Sequence, residues 1–225
     1  MISVSNITKR FGAVTVLDNV SFAVGDCGSC VISGASGSGK TTLLRLIAGL
    51  DLPDEGEISL GGLPVSTPGG AVAPHLRHIG FVFQSPALWP HMTVAEHVSF
   101  GLTGLNKRET GRRVRRVLAD ADLTHLAGRY PSRLSGGEKR RVALARAVAA
   151  RPRHLLMDEP LANLDPELKE RLLRFILKTH RQTGACLVYV THDEAEAQAV
   201  AQQHLVLRAG RVVHAVPPVE PNHES

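Results

Sequence analysis

Residues 34 to 42 read GASGSGKTT: glycine recurs at Gly34, Gly37 and Gly39, and Lys40, Thr41 and Thr42 follow. Positions 34–41 satisfy G-x-x-x-x-G-K-[ST] at every fixed place. The glycines let successive backbone N–H groups turn inward as an anion nest, and Ala35, Ser36 and Ser38 complete the loop. Lys40 is placed to reach the β- and γ-phosphates of a nucleotide, and the Thr41 hydroxyl to ligate Mg2+. A β-rich run, SCVISG, precedes the loop, and TTLLRLIAGL with helical spacing follows it. That is the context the motif needs.

Three other apolar runs end in groups that suit the same chemistry. HLLM (154–157) leads into Asp158 and Glu159. An acid at a strand end beside a phosphate loop completes the Mg2+ shell, which fits Asp158, and leaves Glu159 to orient and polarise the attacking water. CLVYV (186–190) leads into Thr191, His192 and Asp193, which aims His192 at the same γ-phosphate as Glu159. Gln84 follows HIGFVF (78–83), and its neutral amide suits a metal or water contact as well as a surface cap. His154 opens a strand where an aliphatic residue is usual, which places it at the sheet rim.

A second glycine-rich helix start lies at Ser135-Gly136-Gly137-Glu138. S-x-x-E is a capping box, with Ser135 capping the helix and Glu138 returning the bond. Each glycine weakens a helix by about 1 kcal/mol relative to alanine, so capping alone does not select two of them. They strip the helix mouth of side chains and leave bare N–H groups at its positive end. This makes a second phosphate contact.

The elements that must hold these groups alternate. β-rich runs and tight turns fill the N-terminal third, and short apolar strands suited to burial on both faces recur at 29–34, 78–83, 154–157 and 186–190. Helical patterns occupy TVAEHVSFGL, ETGRRVRRVLADADL and SGGEKRRVALARAVAA between Gln84 and Arg153. A further helix, PELKERLLRFILKTHRQTG (166–184), has proline in its first turn and Gly184 past its end. Strands alternating with helices predict an α/β fold with a parallel sheet. The chain is expected to form a single domain over 1–225. Its core is 1–84 with 153–215, a helical lobe is inserted over about 85–152, and a flexible tail covers 216–225. Residues 64–77 are rich in proline and glycine and read as a loop.

Composition removes several classes of function. No signal-peptide core and no apolar run long enough for a membrane span is present. Three cysteines without a secretory signal point to a reducing compartment, and Cys27 with Cys30 reads as ordinary strand thiols. The net charge of +5 comes mostly from NKRETGRRVRR (106–116), read as a solvated helix face. Aromatic residues at 4% are too few for a base-stacking platform, so nucleic acid is not expected as a partner.

In order, the phosphate loop, Gln84, LSGGE (134–138), MDEP (157–160), ANLD (162–165) and THD (191–193) resemble the nucleotide-binding subunit of an ATP-binding-cassette (ABC) transporter, of the bacterial importer type, over residues 1–215. The resemblance implies a P-loop NTPase fold of the ABC type: a mostly parallel central sheet, an N-terminal antiparallel β-subdomain and the inserted helical subdomain. It implies ATP and Mg2+ as cofactors and a head-to-tail homodimer, or a pair with another ABC subunit. In that pair the Ser135–Glu138 mouth meets the partner's ATP and Asp165 couples the two sites. Phe11 would stack on adenine. Leu88, Trp89, Pro90 and Met92 would form an exposed groove for a helix of an integral membrane permease. An extracytoplasmic substrate-binding protein would complete an importer at the inner face of the cell membrane. Glu138 departs from the family's glutamine, and the C-terminal regulatory β-domain of many sugar-importer ATPases is expected to be missing. The rival is a soluble ABC-type mechanical ATPase acting on nucleic acid or chromosome structure. It would need a long coiled coil between phosphate loop and signature, and that stretch carries no heptads.

Overall fold

Apolar runs of four to six residues line up in register at the centre of the molecule. The computed structural model describes residues 1–216. One sheet contains β3 (Ser29–Ser33), β7 (Ile79–Val82), β8 (His154–Asp158), β9 (Cys186–Val190), β10 (Gln203–Arg208) and β11 (Arg211–Val216). Its order is β11-β10-β3-β9-β8-β7, parallel throughout except for the β10–β11 hairpin. Every residue of β8 and β9 is buried, as expected of strands covered on both faces.

The two faces of this sheet support two different packings. Val31, Leu155, Met157, Leu187 and Tyr189 point into a core shared with the helices α2 (Val94–Ser99), α3 (Lys107–Asp120), α4 (Gly136–Ala149) and α5 (Pro166–Thr183). Their neighbours Cys30, Ile32, Leu156, Val188 and Val190 point the other way, onto α1 (Lys40–Ala48) and a second sheet. The alternation is the period-2 geometry of a strand used on both sides. The last helix, α6 (Glu194–Val200), follows β9.

The second sheet is antiparallel, ordered β2-β1-β4-β5-β6, from β1 (Ile2–Phe11), β2 (Val14–Val24), β4 (Glu55–Leu60), β5 (Leu63–Thr67) and β6 (Gly70–Ala71). The loop expected over 64–77 is therefore corrected: most of it is a β-hairpin followed by a 3-10 turn at Pro74–Leu76. Its organiser is Arg77, which is 3% exposed and has no carboxylate partner among the described residues. Its guanidinium donates to the carbonyls of Val72 (2.8 Å), Val65 (2.8 Å), Ile47 (2.9 Å) and Leu46 (3.4 Å), and to Ser66 Oγ (2.8 Å). One cation thus satisfies the last carbonyls of α1 and ties the hairpin to them.

Two smaller expectations also change. His154 is buried, not at the rim, because β7 and β9 pair with it on both sides. Its Nδ1 has no hydrogen-bond partner among the described residues, and burial pulls its pKa down to about 4. Cys27 is exposed in the turn before β3, while burial pushes the Cys30 thiol up to about 12. Val216 closes β11, and the tail expected beyond it, 217–225, lies outside the described residues. None of the described helices is long and apolar enough to cross a membrane.

Candidate functional site

Parallel strands deliver the residues that follow them to one edge of the sheet, where α/β folds place their sites. Here β3 delivers the phosphate loop, β8 Asp158 and Glu159, β9 His192, and β7 Gln84. Gln84, Asp158 and Glu159, together with Phe11 and Val16, border a cleft of about 400 Å³, lined also by Ser36, Gly37, Gly39, Lys40, Thr41 and Thr42; His192 stands outside that lining.

Close packing shapes the loop. Gly34 has φ +148°, and a Cβ there would lie 2.1 Å from the Leu207 carbonyl oxygen. At Gly39, φ +104°, it would lie 2.8 Å from the Val16 oxygen. Only glycine fits either place. The turn between β10 and β11 braces the loop from behind: the Gly210 N–H donates to Ser38 O (3.2 Å), and Gly210 O accepts from the Asp18 N–H (2.9 Å). Lys40 Nζ donates to the carbonyls of Gly34 and Ala35, each at 2.8 Å, so the ammonium lies folded over the nest.

Across the cleft, Thr41 Oγ1 donates to Asp158 Oδ2 at 2.7 Å. Burial raises the Asp158 pKa, Thr41 opposes that by its hydrogen bond, the neighbouring Glu159 adds to the rise, and Lys40 lowers it. A hydroxyl, a carboxylate and an amide oxygen are hard donors of the kind Mg2+ takes, with phosphate and water filling the rest of an octahedron. No group of three or more His, Cys, Asp or Glu side chains suited to a metal occurs among the described residues.

Glu159 is held from several sides. Its Oε2 accepts from Gln84 Nε2 (3.2 Å), its Oε1 lies 3.4 Å from His192 Nδ1, and its carbonyl accepts from Arg140 (3.3 Å). The backbone is left-handed, φ +46°, a conformation uncommon outside glycine and often stored at functional sites. The sequence does not single out Arg140, because its acceptor is a backbone carbonyl 19 positions away.

The loop bearing His192 is fixed by its neighbours. Asp193 caps α6 by accepting from the Glu196 N–H (2.9 Å) and also meets Lys169 Nζ (2.5 Å). Buried Glu196 accepts from Tyr189 Oη (2.8 Å) and Thr191 Oγ1 (2.9 Å) and pairs with the same ammonium (2.7 Å). The Lys169 hydrogen bond, chiefly, holds Asp193 below the usual carboxylate range.

Of the remaining expected residues, all but Phe11 lie outside the cleft. Ser135 caps α4 in a full capping box: Glu138 N donates to Ser135 Oγ (3.2 Å) and Ser135 N to Glu138 Oε2 (2.6 Å). The Glu138 pKa is lowered, first by that Ser135 backbone bond. A Cβ built on Gly136 meets nothing within 4 Å, whereas one on Gly137 would touch Leu168 and Leu164. None of Ser135, Gly136, Gly137 and Glu138 lines the cleft. Asp165 caps α5, accepting from the Leu168 N–H at 2.9 Å. Phe11 is 50% exposed with the Lys9 ammonium 5.3 Å from its ring centre.

On the surface of the helical layer, Trp89 and Pro90 are exposed, but Leu88 and Met92 are half-buried, Leu88 against the helical core. Trp89 stacks on His97 and meets Phe100 at a tilt of 42°, with the Arg146 guanidinium 5.0 Å from its ring.

Comparison with known proteins agrees with this arrangement. The family model described as ABC transporter matches residues 17–162. The chain is 44% identical over 214 residues to the spermidine/putrescine import ATP-binding protein PotA of Pseudomonas aeruginosa, covering 94% of this chain and 58% of that protein. It is 44% identical over 217 residues to the sulfate/thiosulfate import ATP-binding protein CysA of Bradyrhizobium diazoefficiens, covering 94% and 62%. It therefore spans about three-fifths of the length of these curated relatives. The dimeric ATP-binding cassette MJ0796 bound to ADP and Pi superposes with a TM-score of 0.88 at 32% identity, covering 96% of this chain and 98% of that one. A phosphate loop, an acid pair and a histidine on one sheet edge, with a glycine-mouthed helix outside the cleft, thus occur in a chain whose sequence and fold agree on one lineage: it belongs to the ABC transporter family.

Proposed function

We propose that the chain is the ATP-binding and ATP-hydrolysing subunit of an ABC importer. It would act at the inner face of the cytoplasmic membrane with integral permease subunits and an extracytoplasmic substrate-binding protein. The observation that carries this reading is the separation of two phosphate-binding surfaces. The nest of residues 34–41 opens into the chain's own cleft, while the Ser135–Gly136 mouth is bare and lines no part of it. A head-to-tail pair places each mouth on the other copy's nucleotide, and such a pair closes with two-fold symmetry. Asp165, beside the signature, is then the coupling residue between sites.

The chemistry follows from the positions. Adenine stacks on Phe11 at the cleft's rim, and the triphosphate enters the nest, drawing the Lys40 ammonium off two backbone carbonyls and onto the β- and γ-phosphates. Thr41, Asp158 and Gln84 would hold Mg2+, which supplies charge neutralisation at the phosphates. Glu159, steadied by Gln84 and His192, accepts a hydrogen bond from the attacking water and orients it in line with the γ-phosphate. His192 supports the same phosphate. ATP favours the closed pair because only that state offers both surfaces, and hydrolysis removes the bridging phosphate. Trp89 and its neighbours present the surface for the permease. The import subunits named above support uptake as the direction, and the rival role in chromosome structure has no support from them.

The decisive experiment mixes two inactive variants. Lys40→Ala and Ser135→Ala chains together form heterodimers with one intact composite site, so mixing restores ATP turnover. No restoration, with scattering showing only single ATP-loaded chains, would overturn the assignment.

A further inference from the structure

On the opposite side of the molecule, α3 faces the end of α4 across a cleft of about 390 Å³ lined by Leu105, Glu109, Arg112, Arg113, Arg116 and Arg151. It lies by the start of β8, about 15 Å, one strand's length, from the edge that carries Asp158. Leu105, Glu109, Arg112 and Arg116 follow one another at three- and four-residue steps and so share one face of the helix and the loop before it.

Four guanidinium groups meet a single carboxylate here, and that carboxylate is engaged. Glu109 Oε2 accepts from the Asn106 N–H at 3.1 Å, closing the capping box of α3. Arg113 is pinned to the Ala149 carbonyl at 3.0 Å, and its pKa is lowered by burial and then by Arg151, Arg116 and Arg112. Arg116 meets Asp120 only at 3.9 Å, and Asp120 is already held by Lys178 at 2.9 Å. Neither Arg112 nor Arg151 makes an ion pair among the described residues. Arg151 also holds a left-handed backbone, φ +50°, just past α4, where glycine is favoured. The α4 dipole explains part of the charge, but a helix end carries only about half an elementary charge. Three uncompensated cations remain around one concavity.

We propose that this cleft binds a phosphate-bearing anion, at a site distinct from the nucleotide cleft. The fork of a guanidinium matches two phosphate oxygens at once, and the volume admits a di- or triphosphate or a phospholipid headgroup. Because the site shares no residue with the nucleotide cleft, it stands or falls apart from the transport assignment.

The test uses the full chain with Lys40→Ala, which disables the phosphate loop, and titrates inorganic tripolyphosphate by calorimetry. Adding Arg112→Gln, Arg116→Gln or Arg151→Gly weakens binding about tenfold or more, the last while keeping a residue at ease in the left-handed backbone. The same substitutions in the otherwise unaltered chain leave basal ATP turnover unchanged. Flotation with phosphatidylcholine vesicles, with and without phosphatidylglycerol, separates the sources. Capture that needs both phosphatidylglycerol and the arginines assigns a lipid headgroup, and binding confined to tripolyphosphate assigns a free anion. Absence of binding to either probe, or binding unmoved by all three substitutions, would overturn the site.

Discussion

Thr41 Oγ1 and Asp158 Oδ2 lie 2.7 Å apart although 117 positions separate them in the chain. One is the last residue of the phosphate loop, the other the last residue of β8, and their contact spans the cleft at the place proposed for Mg2+. Asp158→Asn keeps the size and removes the charge. Turnover is expected to fall by about 100-fold, with the magnesium dependence of nucleotide binding lost in equilibrium titration. Thr41→Val is expected to act in the same direction.

Glu159→Gln preserves the hydrogen bond to Gln84 but removes the group that accepts from water. Hydrolysis slows by about 100-fold or more, while ATP still binds, so the variant accumulates as a nucleotide-loaded dimer. Size-exclusion chromatography in excess ATP checks this, and a monomer would contradict it.

Glu138 lies in the capping box, bonded back to Ser135. Glu138→Ala should lower stability by about 1 kcal/mol near neutral pH. The folded-state pKa is lowered, so this contribution is present above the ordinary carboxylate range and disappears as pH falls through the depressed value. Melting curves of both chains through the acid range should converge. Glu138→Gln keeps an acceptor for the Ser135 N–H and should keep turnover.

Much of this site could be read from the sequence because local chemistry and global position agree. Pro166 and Gly184 bracket α5 as expected, with Gly184 in the left-handed cap, and CLVYV is β9 from end to end. Gly34, Lys40 and Thr41 reveal themselves by spacing alone. What escaped depends on partners distant in the chain. Prolines and glycines made 64–77 look like a loop, yet β5 pairs with β4 and takes its order from Arg77, whose acceptors are backbone carbonyls that no sequence pattern marks. The left-handed backbone of Glu159 and the reach of Arg140 to its carbonyl are invisible for the same reason.

Arg77 itself offers a test of that hairpin. Arg77→Met removes the side-chain donor from the carbonyls of Val72 and Ile47 and leaves Val65 O only the Val72 N–H, and stability should drop by about 3 kcal/mol in chemical denaturation. Arg77→Lys should recover little, since one ammonium cannot reach five acceptors in a fan.

His154 predicts a pH effect of known sign. Its pKa falls from an ordinary 6.5 to about 4 in the fold, so the unfolded chain binds the extra proton between those values. Stability is therefore lost as pH drops through that window, by up to about 3 kcal/mol. His154→Val should raise the unfolding midpoint more at pH ~5 than at pH ~8, and an equal gain at both would refute the assignment.

The brace that Gly210 forms between Ser38 and Asp18 has a consequence for biosynthesis. The strand that leads into the nest lies between β10 and β9, both made long after it; Ser29 hydrogen-bonds to Gln202, 173 positions on. A nascent polypeptide emerging from the ribosome therefore carries its lysine loop exposed and unshaped for most of translation. The packing that shapes the proposed nucleotide nest is complete only once the closing hairpin has left the exit tunnel, so a half-made chain is expected not to bind nucleotide.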